Sequence, residues 1–107
     1  MDIQLFWRAA STSGNVNWQV ATQFIGDGVV LNTAYNTAST VADAAKGTTL
    51  QVNVATITGV TATNIGATKL AFLKILRDGG QGADTMSGTA ELIGFIVTIR
   101  RTITIGG

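Results

Sequence analysis

The sequence predicts an all-β fold: a single antiparallel β-sandwich over residues 1–107, jelly-roll-like, with about eight strands. Three observations carry that expectation. Apolar and polar residues alternate with period two along most of the chain, while a 3.6-residue period is nearly absent. About one residue in six is threonine, a strand-favouring residue. Glycine-containing turn signals separate the alternating runs.

The first run sets Ile3, Leu5, Trp7 and Ala9 against Gln4, Phe6 and Arg8. A Ser-Thr-Ser-Gly-Asn turn at 11–15 leads to a second run, where Val16, Trp18, Val20, Thr22 and Phe24 alternate with Asn17, Gln19, Ala21 and Gln23. Paired antiparallel with their apolar faces matched, the two strands put Trp7 opposite Trp18 and Leu5 opposite Val20, and both tryptophans read as core. Gly26-Asp27-Gly28 then breaks the chain. Residues 29–45 admit either a short helix or a turn followed by a strand near 40–44. After Lys46-Gly47, Leu50, Val52 and Val54 alternate with Gln51, Asn53 and Ala55, the pattern of a half-buried strand with its larger apolar side chains inward. Residues 58–68 read as a loop or a short edge strand around Gly59 and Gly66.

Residues 69–77 are apolar on both faces, with Leu70, Phe72 and Leu76 on one and Ala71, Leu73 and Ile75 on the other. A helix also fits this spacing, but the β-rich context favours a strand covered on both sides, either by core and a partner or by two layers of core. In the last run Ile93, Phe95, Val97, Ile99, Ile103 and Ile105 share one face, interrupted by Arg101, and Thr98, Arg100, Thr102 and Thr104 share the other. Unbroken over 91–105 it would extend about 50 Å, beyond common strand lengths. It therefore bends at Arg100-Arg101 or projects, and 100–107 is expected to form a projecting C-terminal strand.

Composition excludes several function classes. The chain contains no histidine, cysteine or proline. It cannot build a Ser-His-Asp or Cys-His nucleophile, a histidine-ligated zinc site or a disulfide. No cofactor is expected, and the six carboxylates form no paired set that would mark an enzyme. Charged residues make up 12% of the chain, half of the roughly 25% usual for a soluble domain. So few ionic groups on so small a body point to surface hidden in a homo-oligomer. The net charge is +1, and the one adjacent basic pair, Arg100-Arg101, would point to opposite faces of a strand, so no nucleic acid partner is expected. Apolar stretches such as 92–97 fall far short of the roughly 20 residues that span a membrane. The start, Met1-Asp2-Ile3-Gln4, has no basic, apolar leader, so synthesis in the cytoplasm is expected.

The densest charged group is Arg77, Asp78, Asp84 and Glu91 around Gly79-Gly80-Gln81-Gly82. The favoured reading is a turn in which Asp78 caps the backbone and Arg77 pairs with Asp84. The alternative is an oxygen-ligand cation site between Asp78 and Asp84, although the spacing is not that of an EF-hand. No Gly-Lys-Ser/Thr follows the glycines, so they form no phosphate cradle. Asp27, between two glycines, reads as a turn residue.

The segment Phe6-Trp7-Arg8-Ala9-Ala10-Ser11-Thr12-Ser13-Gly14-Asn15-Val16-Asn17-Trp18 resembles the opening of a surface module of tailed-bacteriophage structural proteins, in which an aromatic strand, a Thr/Ser-Gly turn and a second Trp strand follow one another. Arg77-Asp78 with Asp84-Thr85-Met86-Ser87-Gly88-Thr89-Ala90, and then Leu92-Ile93-Gly94-Phe95, match the same module, so that the resemblance runs in order over roughly 3–99. It implies a jelly-roll sandwich, often trimeric, displayed on fibres, tail tips or capsid surfaces. This chain has no fibrous stretch ahead of the module and carries 100–107 after it, which favours a free-standing decoration protein.

The expected function is therefore a non-enzymatic virion structural protein, a capsid decoration or cement protein that forms a trimer on the virion surface and contacts the major capsid protein. Its candidate interface residues are Leu73, Ile75, Arg100, Arg101, Ile103 and Ile105. The 100–105 segment would add to a neighbour's sheet edge while its arginines meet acidic partners. Two other readings compete. A receptor-binding knob of a tail fibre or tail tip would bind a host surface glycan, with Phe6, Trp18 and Tyr35 as candidate stacking aromatics. A carbohydrate-binding module of a larger cellular enzyme is the third.

Overall fold

The computed structural model describes residues 1–31 and 34–99. These form six strands and no helix: β1 (Asp2–Ala9), β2 (Asn15–Ile25), β3 (Ser39–Ala44), β4 (Asn53–Ile57), β5 (Leu70–Arg77) and β6 (Ala90–Thr98). Two antiparallel three-stranded sheets, ordered β4-β1-β6 and β3-β2-β5, pack together. The fold is the expected all-β sandwich, with six described strands in place of about eight. The possible edge strand at 58–68 is a loop, because Gly59, Asn64 and Thr68 all take positive φ, which an extended run does not accommodate. The expected strand at 100–105 lies outside the described residues. The ambiguity at 29–45 resolves in favour of a strand, β3, and residues 69–77 form a strand and not a helix.

The expected β1–β2 hairpin is not formed. β1 pairs with β4 and β6, whereas β2 pairs with β3 and β5. Each is the central strand of its own sheet, the position that hides a strand's backbone on both edges, and these two strands carry most of the fully buried side chains. The turn at 11–14 therefore crosses between layers. Trp7 and Trp18 meet across the sandwich instead of side by side on one sheet, with ring centroids 6.1 Å apart and planes tilted by 57°. Around them Ile3, Leu5, Val16, Val20, Ala55 and Ile57 complete the core. The indole N–H of Trp7 donates to Asp43 Oδ2 on β3 at 2.8 Å, tying the two sheets together. The Trp18 Nε1 atom is buried without a hydrogen-bond partner.

Gly14 makes the crossing possible. Its φ is +95°, and a Cβ placed there would lie 2.9 Å from the Met86 Cα. Both the backbone conformation and the close approach demand glycine. Gly14→Ala is expected to lower unfolding free energy by about 2–4 kcal/mol, combining left-handed strain with overpacking against main chain. Equilibrium urea denaturation checks this, and a loss below about 0.5 kcal/mol, the scale of ordinary surface changes, would contradict it.

Two strands differ in phase from expectation. In β4 the buried residues are Asn53, Ala55 and Ile57, while Leu50, Val52 and Val54 are exposed. The turn at 48–51 places Leu50 at a φ of 60°, and the Asn53 carboxamide is drawn inside by bonds from the Lys46 N–H and to the Gln51 carbonyl. In β6 the register slips between Phe6 and Trp7, so that Leu92 pairs with Trp7 and Gly94 with Phe6. This bulge takes Ile93 out of the face shared with Phe95 and Val97 and puts Leu92 there instead.

Candidate functional site

Three surface regions gather the chemistry-bearing and partner-seeking residues. The first is the connection from β5 to β6. Arg77, at the end of β5, donates through Nε and Nη2 to the two carboxylate oxygens of Asp84, at 2.8 and 2.7 Å, and also reaches the carbonyls of Met86 and Gly88. Asp84 accepts a further bond from the Asn17 N–H, and its side chain is only 3% exposed. The Arg77 guanidinium holds the Asp84 carboxyl below the usual carboxylate range, against the opposing push of burial, and the same pairing raises Arg77 above its ordinary value. Thr85 and Met86 donate their N–H groups to the Asn15 carbonyl, and Met86 is buried as a plug over the core's end. Asp78 accepts from the Gly80 N–H and the Gln81 side chain. Asp78 therefore caps its turn and Arg77 pairs with Asp84, as the favoured sequence reading had it. With both Asp84 oxygens engaged, the two aspartates do not converge on a cation. Among the described residues no cluster of three His, Cys, Asp or Glu could hold a metal ion.

The second region is a hollow of about 200 Å3 on the outer side of the β3-β2-β5 sheet. Tyr35, 41% exposed, stands there with Gln19, Asn36, Lys74 and Leu76. The Asn36 carboxamide donates to Thr22 Oγ1 and the Thr63 carbonyl, and the Asn36 main-chain N–H donates to the Thr22 carbonyl, which fixes the segment carrying Tyr35 on β2.

The third region is the side of the sandwich formed by β5 and β6. The sheets draw close at β3 and β4, but on the opposite side the core-facing residues are incompletely covered. Phe95 pairs with Leu5 and Leu92 with Trp7, so both belong to the inner face, yet they are 48% and 39% exposed. Ile93, Ile96 and Ile99 are exposed as well. Among the described residues β6 is hydrogen-bonded to β1 alone, and no described strand lies on its other edge.

The candidate site residues distribute unevenly over these regions. Trp18 is buried against Trp7, so it cannot stack on a glycan; it was drawn inward because it sits on the core face of a central strand. Phe6 is half-buried on the outer face of its sheet, between Val54 and Gly94. Tyr35 alone of the three lines a hollow. Leu73 and Ile75 turn toward the chain's own core, packed beside it at the margin, because they pair with the inner-face residues Thr22 and Val20. The outward face of β5 is instead Leu70, Phe72 and Leu76. Arg100, Arg101, Ile103 and Ile105 lie outside the described residues. Sequence reasoning did not single out Leu92 and Phe95 as exposed apolar groups: alternation marks Phe95 as core, and Leu92 joins that face only through the bulge.

No protein-family model matches the chain, and neither a curated protein nor a solved structure shows significant similarity to it. Among the described residues no helix is long and apolar enough to cross a membrane.

Proposed function

We propose that this chain is a non-enzymatic structural protein of a virion, a bacteriophage capsid decoration or cement protein that assembles as a homotrimer and seats on the major capsid protein at the particle surface. The observation that supports this reading best is β6, which carries exposed apolar residues on both faces and, among the described residues, has a strand on one edge only. Such a strand has the anatomy of an assembly surface. The mutual engagement of Arg77 and Asp84 also supports a structural part for the densest charged group.

A second reading, a glycan-binding knob at a tail fibre or tail tip, is favoured by Tyr35 standing beside Gln19, Asn36 and Lys74. An aromatic face flanked by amides suits one sugar ring, and the hollow is smaller than the 300 Å3 or more of typical ligand pockets. Counting copies in purified particles that contain this chain tests the first reading against the second. On the order of hundreds of copies is the expected result, whereas about a dozen or fewer, together with glycan binding abolished by Tyr35→Ala, would replace it with the knob.

A further inference from the structure

The hollow beside Tyr35 is electrically one-sided. Lys74 is the cation that lines it, and among the described residues no carboxylate does so. Lys74 is exposed, and its ammonium makes neither an ion pair nor a hydrogen bond with any described residue. Lys69, by contrast, has its ammonium donated to the Asn64 carbonyl. The one carboxylate within the strands of this sheet, Asp43, is engaged on the core side by the Trp7 indole. Arg77, the other cation of β5, is held by Asp84. Lys74 is therefore left as an uncompensated positive charge at the lip of a concave surface.

The rest of the hollow is matched to a small amphipathic ring. Ala21 and Ala38 are short side chains that leave it depth, and Leu76 gives it an apolar wall. Tyr35 supplies an exposed aromatic ring, and Gln19 an amide that can both donate and accept. The Asn36 carboxamide nitrogen is committed to Thr22 and Thr63, so its oxygen is what it can offer a ligand. Those same bonds fix the aromatic segment before any ligand arrives, which lowers the cost of ordering it on binding.

We propose that this hollow takes a single pyranose ring bearing a carboxylate, a hexuronate, with Lys74 meeting the carboxylate. This rests on the glycan-binding reading above and names the charge of the sugar. Tyr35 packs on the ring, and the amides of Gln19 and Asn36 meet its hydroxyls. The ammonium of a lysine is one compact charge, which one carboxylate balances. A phosphate, with nearly two charges at neutral pH, would leave part of its charge uncompensated here.

Amide NMR spectra of the purified chain, titrated with methyl glucuronide and with methyl glucoside, are the test. The glucuronide is expected to bind about fivefold more tightly, the scale of a partly exposed ion pair, and to shift the amides around Gln19, Tyr35 and Lys74. Raising the salt from about 0.05 to 0.5 M is expected to erase that preference. Lys74→Gln is expected to bring the glucuronide down to the level of the glucoside, and Tyr35→Ala to abolish binding of both. Lys46→Gln, an exposed lysine elsewhere, is expected to change neither. Equal binding of the two sugars to the parent overturns this proposal while the glycan reading stands. Binding of neither sugar overturns both at this hollow. Glucuronide binding undiminished by Lys74→Gln overturns the part given to that cation, and binding undiminished by Tyr35→Ala overturns the hollow as the site.

Discussion

Replacing Trp7 by alanine is expected to cost about 3–5 kcal/mol of unfolding free energy. Trp7 is fully buried, packs on Trp18 across the layers and holds Asp43 through its indole N–H. The loss combines a large cavity with an acceptor left without its donor. For a domain of this size that corresponds to a fall in Tm of about 15 °C or more. The two tryptophans then separate by a gentler change. Trp7→Phe removes a made hydrogen bond, while Trp18→Phe removes a buried donor that has no partner. Trp7→Phe is expected to be the more destabilising by about 1 kcal/mol or more. Thermal melts of the three variants check this, and equal losses for the two phenylalanine variants would show that the Asp43 contact contributes nothing.

Asp84→Ala is expected to cost about 3 kcal/mol, because it strands a mostly buried guanidinium and an Asn17 N–H at once. The same group sets a pH dependence. Its folded pKa lies below the roughly 3.9 of an unfolded aspartate, so its contribution is complete above that value and is lost as the pH falls through the lowered folded pKa. The parent protein should lose stability on acidification below about pH 4. Asp84→Asn, less stable at neutral pH, should show a flatter acid limb. Denaturant midpoints at pH 7 and pH 3 measure both quantities, and parallel acid limbs would mean that the pair does not carry the titration.

The sandwich was legible because period two survives along β1, β2 and β6 whatever they pair with. Partner choice was not. Trp7 and Trp18 have the same alternation whether they sit side by side or face across layers, and it is Gly14, with its left-handed backbone against Met86, that sends the chain to the other sheet. The phase of β4 was lost because Asn53 looks like a surface residue until its carboxamide is seen bonded inside. The Arg77–Asp84 turn was legible from charge sign and spacing alone. The exposure of Leu92 and Phe95 was not, because periodicity reports which face a side chain takes and not whether anything covers that face.

The order of strands in the two sheets also governs how the molecule comes into being. β1 is flanked by β4 and β6, so residues 2–9 must find residues 90–98. β2 likewise waits for β5. Only β2 and β3, joined through residues 26–38, are consecutive strands that pair among the described residues, and the β1–β4, β1–β6 and β2–β5 ladders close longer loops of chain before they return any free energy. Such high contact order places folding on a scale of about milliseconds to seconds. During synthesis the β4-β1-β6 sheet cannot be completed until β6 has left the ribosome, whereas the β3-β2-β5 sheet has all its strands by residue 77.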